Sequence, residues 1–171
     1  MSKRLEEILV ACNRWLLIAL LLVMACLVFA NVVLRYTTGD SIVWAEEVSR
    51  QMMIWVAFLG AGLVLRFGGH VAIDNLHHHV GVRGARFVRA LVVAGIALFS
   101  AVMVYASCQY MWLMRFQTTA ATDIPISWIY LAMPVGFLLI LAHLAFIAPT
   151  YIRQGEFAQS SEIDAEAAAS L

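Results

Sequence analysis

The stretch Val43-Trp-Ala-Glu-Glu-Val-Ser-Arg50-Gln-Met-Met-Ile-Trp-Val-Ala-Phe-Leu-Gly60-Ala-Gly-Leu-Val-Leu-Arg66 decides how the chain is read. Its uncharged part, 51–65, rises only about 22 Å as an α-helix, at roughly 1.5 Å per residue. A bilayer core of about 30 Å needs roughly 20 residues. The helix must therefore begin near Trp44 and carry Glu46, Glu47 and Arg50 at or just inside the membrane boundary. Such charges are expensive in hydrocarbon and face other protein or a water-filled cavity. Two readings are open. The charges snorkel to headgroups with Trp44 as a belt residue, or they make polar contacts inside the bundle or with another subunit. Glu46 and Arg50 form an i,i+4 pair with the acid first, the favourable order on a helix. Ala57, Gly60 and Ala61 are small residues at which helices can approach closely.

Outward from this span the composition points the same way. The 171 residues are 63% hydrophobic and 13% charged, with mean hydropathy +0.87, far more apolar than a soluble domain. A net charge of zero and the lack of a basic stripe with interleaved aromatics argue against a nucleic-acid role. Cys12, Cys26 and Cys108 sit in apolar stretches without CxxC spacing, which predicts buried inert thiols.

Four segments can span, at about 15–35, 44–66, 88–114 and 125–152. The predicted fold class is an all-α membrane protein, with four transmembrane helices in a tilted bundle and short amphipathic interfacial helices. Residues 1–153 form one membrane domain. The tail 154–171, rich in Ala, Ser and Glu, has little to bury and reads as mobile and cytoplasmic. Pro134 should kink the fourth span. The first span rivals a secretory signal peptide, with Lys3, Arg4 and Arg14 as its basic region, but its apolar run exceeds the usual signal core.

Leu5, Ile8, Leu9 and Cys12 recur at helical spacing, which predicts an amphipathic lead-in lying along the cytoplasmic interface. In the second connection, Ile73, Leu76 and Val80 share a helical face, and either a short surface helix or an ordered loop fits. Lys3, Arg4, Arg14, Arg66, Arg83, Arg86, Arg89 and Arg153 fall on one side of the membrane, while Arg35 and Arg115 fall on the other. That asymmetry predicts both termini in the cytoplasm.

The chemistry is sparse. His77, His78 and His79 cannot converge on one ion from consecutive helical positions, about 100° apart. His143 is the one histidine well inside a span, so an axial histidine pair for haem is not formed. No Gly-rich phosphate loop, Ser-His-Asp pattern or metal-ligand spacing occurs, and the chain is predicted not to be an enzyme and to hold no cofactor or metal.

Taken in order, Asn31-Val-Val-Leu-Arg35-Tyr36, Trp44-Ala-Glu-Glu47-Val-Ser-Arg50 and Trp55-Val-Ala-Phe-Leu-Gly60-Ala form a series. Gly69-His70-Val71-Ala72-Ile73-Asp74 and Ile124-Pro125-Ile-Ser-Trp128-Ile-Tyr130 continue it, before Pro134. The series resembles the small (DctQ-like) membrane subunit of tripartite ATP-independent periplasmic (TRAP) transporters. The resemblance runs from about Asn31 to Pro134. The triple histidine, although within that range, and the acidic tail are not part of the pattern.

The resemblance implies a scaffold subunit of a sodium-coupled, binding-protein-dependent secondary transporter in the bacterial inner membrane, importing an organic acid. Its implied partners are membrane lipid, a large multi-span subunit carrying the substrate and sodium sites, and a periplasmic substrate-binding protein that it helps to dock. Carried over by position, Glu47 and Arg50 form a structural polar knot and partner interface with Glu46, Trp44, Arg35 and Asn31. Arg35 and Trp44 would sit near the outer edge. His70 and Asp74 belong to the inner connection, and Pro125 and Trp128 lead into the fourth span. Two other classes are compatible with four spans: a membrane anchor for a redox enzyme, and a small self-sufficient proton-coupled exporter using Glu47 as its coupling carboxylate.

Overall fold

A computed structural model of the chain describes residues 3–66 and 82–154. These form five helices: α1 (Lys3–Thr38), α2 (Val43–Arg66), α3 (Val82–Leu113), α4 (Ile126–Tyr130) and α5 (Ala132–Gln154). Four segments are long and apolar enough to cross a membrane, with α4 and α5 counted together as the last. Helices are what such a sequence must form, because hydrocarbon offers backbone N–H and C=O groups no other partner. The chain is an all-α membrane protein, as its hydropathy predicts.

Three expectations are refined. The lead-in at Leu5–Cys12 is not a separate interfacial helix but the first turns of a continuous 36-residue α1. At about 1.5 Å per residue that helix is roughly 54 Å long, well beyond the hydrocarbon thickness. Hydropathy marks where the bilayer is, whereas the helical backbone continues in water wherever nothing breaks it. The same reasoning applies to α3, which begins at Val82 and carries Arg83, Arg86 and Arg89 in its first turns. The predicted helix in the second connection, together with the tail beyond Gln154, lies outside the described residues.

The fourth span is divided at Leu131, between α4 and α5. Pro134 explains the division, because it has no N–H to give the carbonyl four residues back, Tyr130. The surrounding ladder is kept by Leu131 N–H to Ser127 O at 3.0 Å and by Val135 N–H to Leu131 O at 3.3 Å. A second proline, Pro149, lies inside α5, within the predicted fourth span. Cys12, Cys26 and Cys108 are exposed rather than buried as expected, because they stand on helix faces that no neighbouring helix covers.

The helices pack as an open row in the order α1, α2, α5, α3. Helix α2 lies against both α1 and α5, and α3 lies against α5. The core therefore follows α5 and the lower half of α2, with Leu59, Leu63, Ala132, Phe137, Leu144 and Ile147 buried. Phe137 sits edge-on to Phe58 of α2 at 5.8 Å and to Phe99 of α3 at 6.0 Å, between ring centroids. Gly136 lets the backbones of α5 and α2 touch: a Cβ there would stand 2.7 Å from the Phe58 carbonyl oxygen. Small residues at helix contacts do this in membranes, where close packing replaces the hydrophobic drive.

Candidate functional site

Both ends of α2 are fastened by polar side chains. At its start, the connection from α1 is only 39–42, and Gly39 takes φ +77°, a left-handed conformation that glycine adopts without penalty. Buried Asn31 of α1 accepts the Ile42 N–H on Oδ1 at 2.7 Å, and the Ile42 carbonyl accepts the Ala45 N–H at 3.0 Å. The free N–H groups at this helix start are thus partly satisfied across the helix pair.

One turn further on, Glu47 holds the α3–α4 connection. That connection folds back on itself: Thr119 N–H donates to Ile124 O at 3.0 Å, Ile126 N–H donates to Gln117 O at 2.8 Å, and Thr118 bridges Pro125. Asp123 takes φ +53°, which aspartate tolerates better than bulkier residues. Glu47 Oε2 accepts the Ala121 N–H at 2.8 Å, and Oε1 accepts the Thr122 hydroxyl at 2.5 Å and Gln51 Nε2 at 3.3 Å. Because the Thr122 proton goes to Glu47, the 2.7 Å contact between Thr119 and Thr122 hydroxyls must be donated by Thr119. Thr119 Oγ1 in turn accepts the Ile124 N–H at 3.1 Å. A carboxylate with three donors is a clamp, and its acceptor capacity is used in holding a turn more than 70 residues away.

The other residues singled out from sequence are distributed differently from the predicted polar knot. Glu46, Arg50 and Arg35 are exposed, and Trp44 is half-exposed. Among the described residues Arg50 forms no ion pair with Glu46 or Glu47, whereas Arg66 pairs with Glu6. Glu47 therefore takes its hydrogen bonds from the loop and from Gln51, not from Arg50. Pro125 stands at the N-cap of α4. Trp128 is exposed and, with Gln51, Trp55 and Ile124, lines a cleft of about 200 Å³ between α2 and α4. Ala57 is exposed, and nothing lies within 4 Å of where a Gly60 Cβ would stand. Ala61 is part-buried. The close approach is instead at Gly62, one position past Ala61, together with Gly136. His70 and Asp74 lie outside the described residues, as do His77–His79.

At the opposite end of α2, Arg66 Nη1 lies 2.7 Å from Glu6 Oε1 of α1. About two turns inward, buried Asn13 donates from Nδ2 to the Leu59 carbonyl at 3.0 Å. From α5, fully buried His143 packs at the next level: a Cβ on Gly62 would meet its Cδ2 at 2.8 Å. The sequence reading passed over Asn13 and Gly62. Asn13 carried a signal, a carboxamide two residues before an uninterrupted apolar run, since polar side chains there commonly bond across helices. The threonines at 119 and 122 carried none.

Residues 24–148 match the sequence family described as the DctQ component of tripartite ATP-independent periplasmic transporters. The chain is 30% identical over 125 residues to the C4-dicarboxylate TRAP transporter small permease protein DctQ of Rhodobacter capsulatus, covering 71% of this chain and 55% of that protein. It is 29% identical over 120 residues to the ectoine TRAP transporter small permease protein TeaB of Halomonas elongata, covering 69% and 62%. A third relative is the C4-dicarboxylate small permease protein DctQ of Vibrio cholerae, 31% identical over 87 residues, covering 51% and 38%. The chain thus spans a little over half the length of the first two relatives. With four apolar spans and a family match over most of its length, the chain belongs to the DctQ family of TRAP transporter small membrane subunits.

Proposed function

We propose that this chain is the stationary membrane scaffold of a sodium-coupled, binding-protein-dependent secondary importer for an organic acid. In this reading a large multi-span subunit carries the substrate and sodium sites. The small subunit lies along it in the bacterial inner membrane and helps dock the periplasmic binding protein. Two relatives named for C4-dicarboxylates support a carboxylate as the cargo. The end of the row bearing Glu6 and Arg66 also bears most of the cationic residues, which supports both termini in the cytoplasm.

The carrying observation is the cross-bracing of α2 at both ends beside two uncovered apolar edges. Trp15, Leu22, Phe29 and Tyr36 recur every seventh residue on α1 and are all exposed, as are Leu91, Leu98, Tyr105 and Trp112 on α3. A seven-residue step keeps side chains within about 20° of one line on a helix. A braced slab with apolar stripes along both edges suits a part that stays still while a neighbour packs against it and lipid covers the rest. The exporter alternative is disfavoured, because a coupling carboxylate must exchange protons freely and Glu47 is engaged by three donors.

Extraction of the natively expressed complex in mild detergent tests the reading. The chain should co-elute with a large membrane protein at one stoichiometry, and its deletion should abolish uptake of the carboxylate. Uptake that persists without the chain overturns the proposal.

A further inference from the structure

Among the described residues, the buried side-chain nitrogen and oxygen atoms without a hydrogen-bond partner in the chain all fall in one place. They are Asn13 Oδ1 on α1, Nε and Nη1 of Arg66 on α2, and both ring nitrogens of His143 on α5. Arg66 Nη1 has the Glu6 carboxylate 2.7 Å away, close enough for an ion contact but without hydrogen-bond alignment. Asn13 is 5% exposed and His143 fully buried, so neither group reaches bulk water or headgroups.

These atoms approach one face of α2. Leu59, Gly62 and Arg66 are three and seven residues apart, and Glu6 and Asn13 are seven apart on α1, so each set shares a face. The Leu59 carbonyl, which Asn13 grips, points along the helix axis toward the level of Gly62. At Gly62 the missing side chain leaves room for the imidazole: a Cβ would stand 2.8 Å from Cδ2 and 3.5 Å from Nε2. Asn13 and His143 therefore flank the same turn from opposite neighbours, with the Arg66 guanidinium one turn below.

A neutral imidazole presents one donor and one acceptor, Asn Oδ1 accepts, and Arg Nε donates. Buried groups of this kind are satisfied in native proteins, and water is the small molecule able to donate and accept at once. The site offers polar atoms from three helices, which meets the two to four partners a buried water requires.

We propose that the seam between α1, α2 and α5 is a hydration site. Buried water links His143 to Asn13 Oδ1 and runs on to Arg66 Nε. It joins the α1–α2 contact to the α2–α5 contact, so that three helices share one polar network on the inner side of the membrane. His143 is then the α5 anchor of that network, rather than an isolated imidazole in an apolar helix. The inference does not depend on the transport reading.

Cryo-EM of the intact complex in lipid nanodiscs, at a resolution that shows ordered water, tests this directly. Density peaks within hydrogen-bond distance of a His143 ring nitrogen and of Asn13 Oδ1 are expected. A map that resolves both side chains and shows no such peak overturns the proposal. Thermal unfolding of the purified complex supplies a second readout. His143→Phe adds some ring volume and strands the network, and should lower Tm by several degrees. Adding Asn13→Leu should then cost less than it does in the natural chain, because the two residues share partners; this double variant separates the lost network from overpacking. A His143→Phe complex more stable than the natural one would mark a dry slot and overturn the proposal.

Discussion

Gly136 of α5 lies so close to Phe58 of α2 that a Cβ on it would stand 2.7 Å from both the Phe58 carbonyl oxygen and its Cβ, and 2.9 Å from its carbonyl carbon. Two of those three atoms are backbone, which cannot swing aside as a flexible side chain can. The contact therefore sets the distance between the two central helices of the row.

Substitution here should be costly, and the nearby Gly60 makes the control. Gly136→Ala forces α2 and α5 apart and should destabilise by about 1–3 kcal/mol or more, the usual range for overpacking. Gly60→Ala meets open space, so its effect should be near zero or slightly stabilising, since alanine is the better helix former. Fluorescence-detected size-exclusion thermostability of the two variants decides it. Equal behaviour would show that the α2–α5 approach has been placed wrongly.

Removing the Glu47 carboxylate should free the α3–α4 turn without unfolding the row. A cysteine introduced at Ala121 should react faster with a membrane-impermeant maleimide in the Glu47→Ala background than alone. Glu47→Gln should lie between, because the amide keeps one acceptor oxygen and loses the other. Thr122→Val should resemble Glu47→Ala in part. Arg50→Ala should leave the labelling unchanged, since Arg50 takes no part in the clamp. Labelling that rises as much with Arg50→Ala as with Glu47→Ala would restore the carboxylate–arginine knot.

Asn31 should matter through one atom. Its Oδ1 receives the Ile42 N–H at 2.7 Å in a buried corner, and Asn31→Ala leaves that donor without a partner. The expected loss is about 1–2 kcal/mol, as for a helix cap or a stranded buried donor. Thermal melts of the purified complex measure it. An unchanged Tm would mean that water replaces the carboxamide at this corner.

The charge distribution makes a forecast about sidedness. In a background with Cys12, Cys26 and Cys108 replaced, a cysteine at position 40 or 120 should label from the periplasm in intact cells, and one at position 78 or 86 only after permeabilisation. Outside labelling at position 86 would reverse the orientation, and with it the assignment of the Glu6–Arg66 end to the cytoplasm.

The sequence by itself determined the class, the number of spans and the ends that belong together. Hydropathy over 20 residues is a local property, and basic residues accumulate at one end of each span whatever the helices later touch. It also placed the Pro134 interruption, because a missing N–H acts within one helical turn. Only the tertiary structure decided which face of α2 meets which neighbour. That helix is apolar nearly all round below Gln51, and lipid tails are as apolar as leucine, so hydropathy cannot tell a packed face from a lipid face. Gly60 and Gly62 therefore looked alike in sequence, although Gly62 alone receives a ring. The partner of Glu47 was equally hidden, for Thr122 lies 75 residues away and reaches it only because α3 returns the chain to the same end of the row. A carboxylate bonds whichever donors the fold brings to it, and for Glu47 two came from a distant turn and one from Gln51, rather than from the arginine one helical turn away.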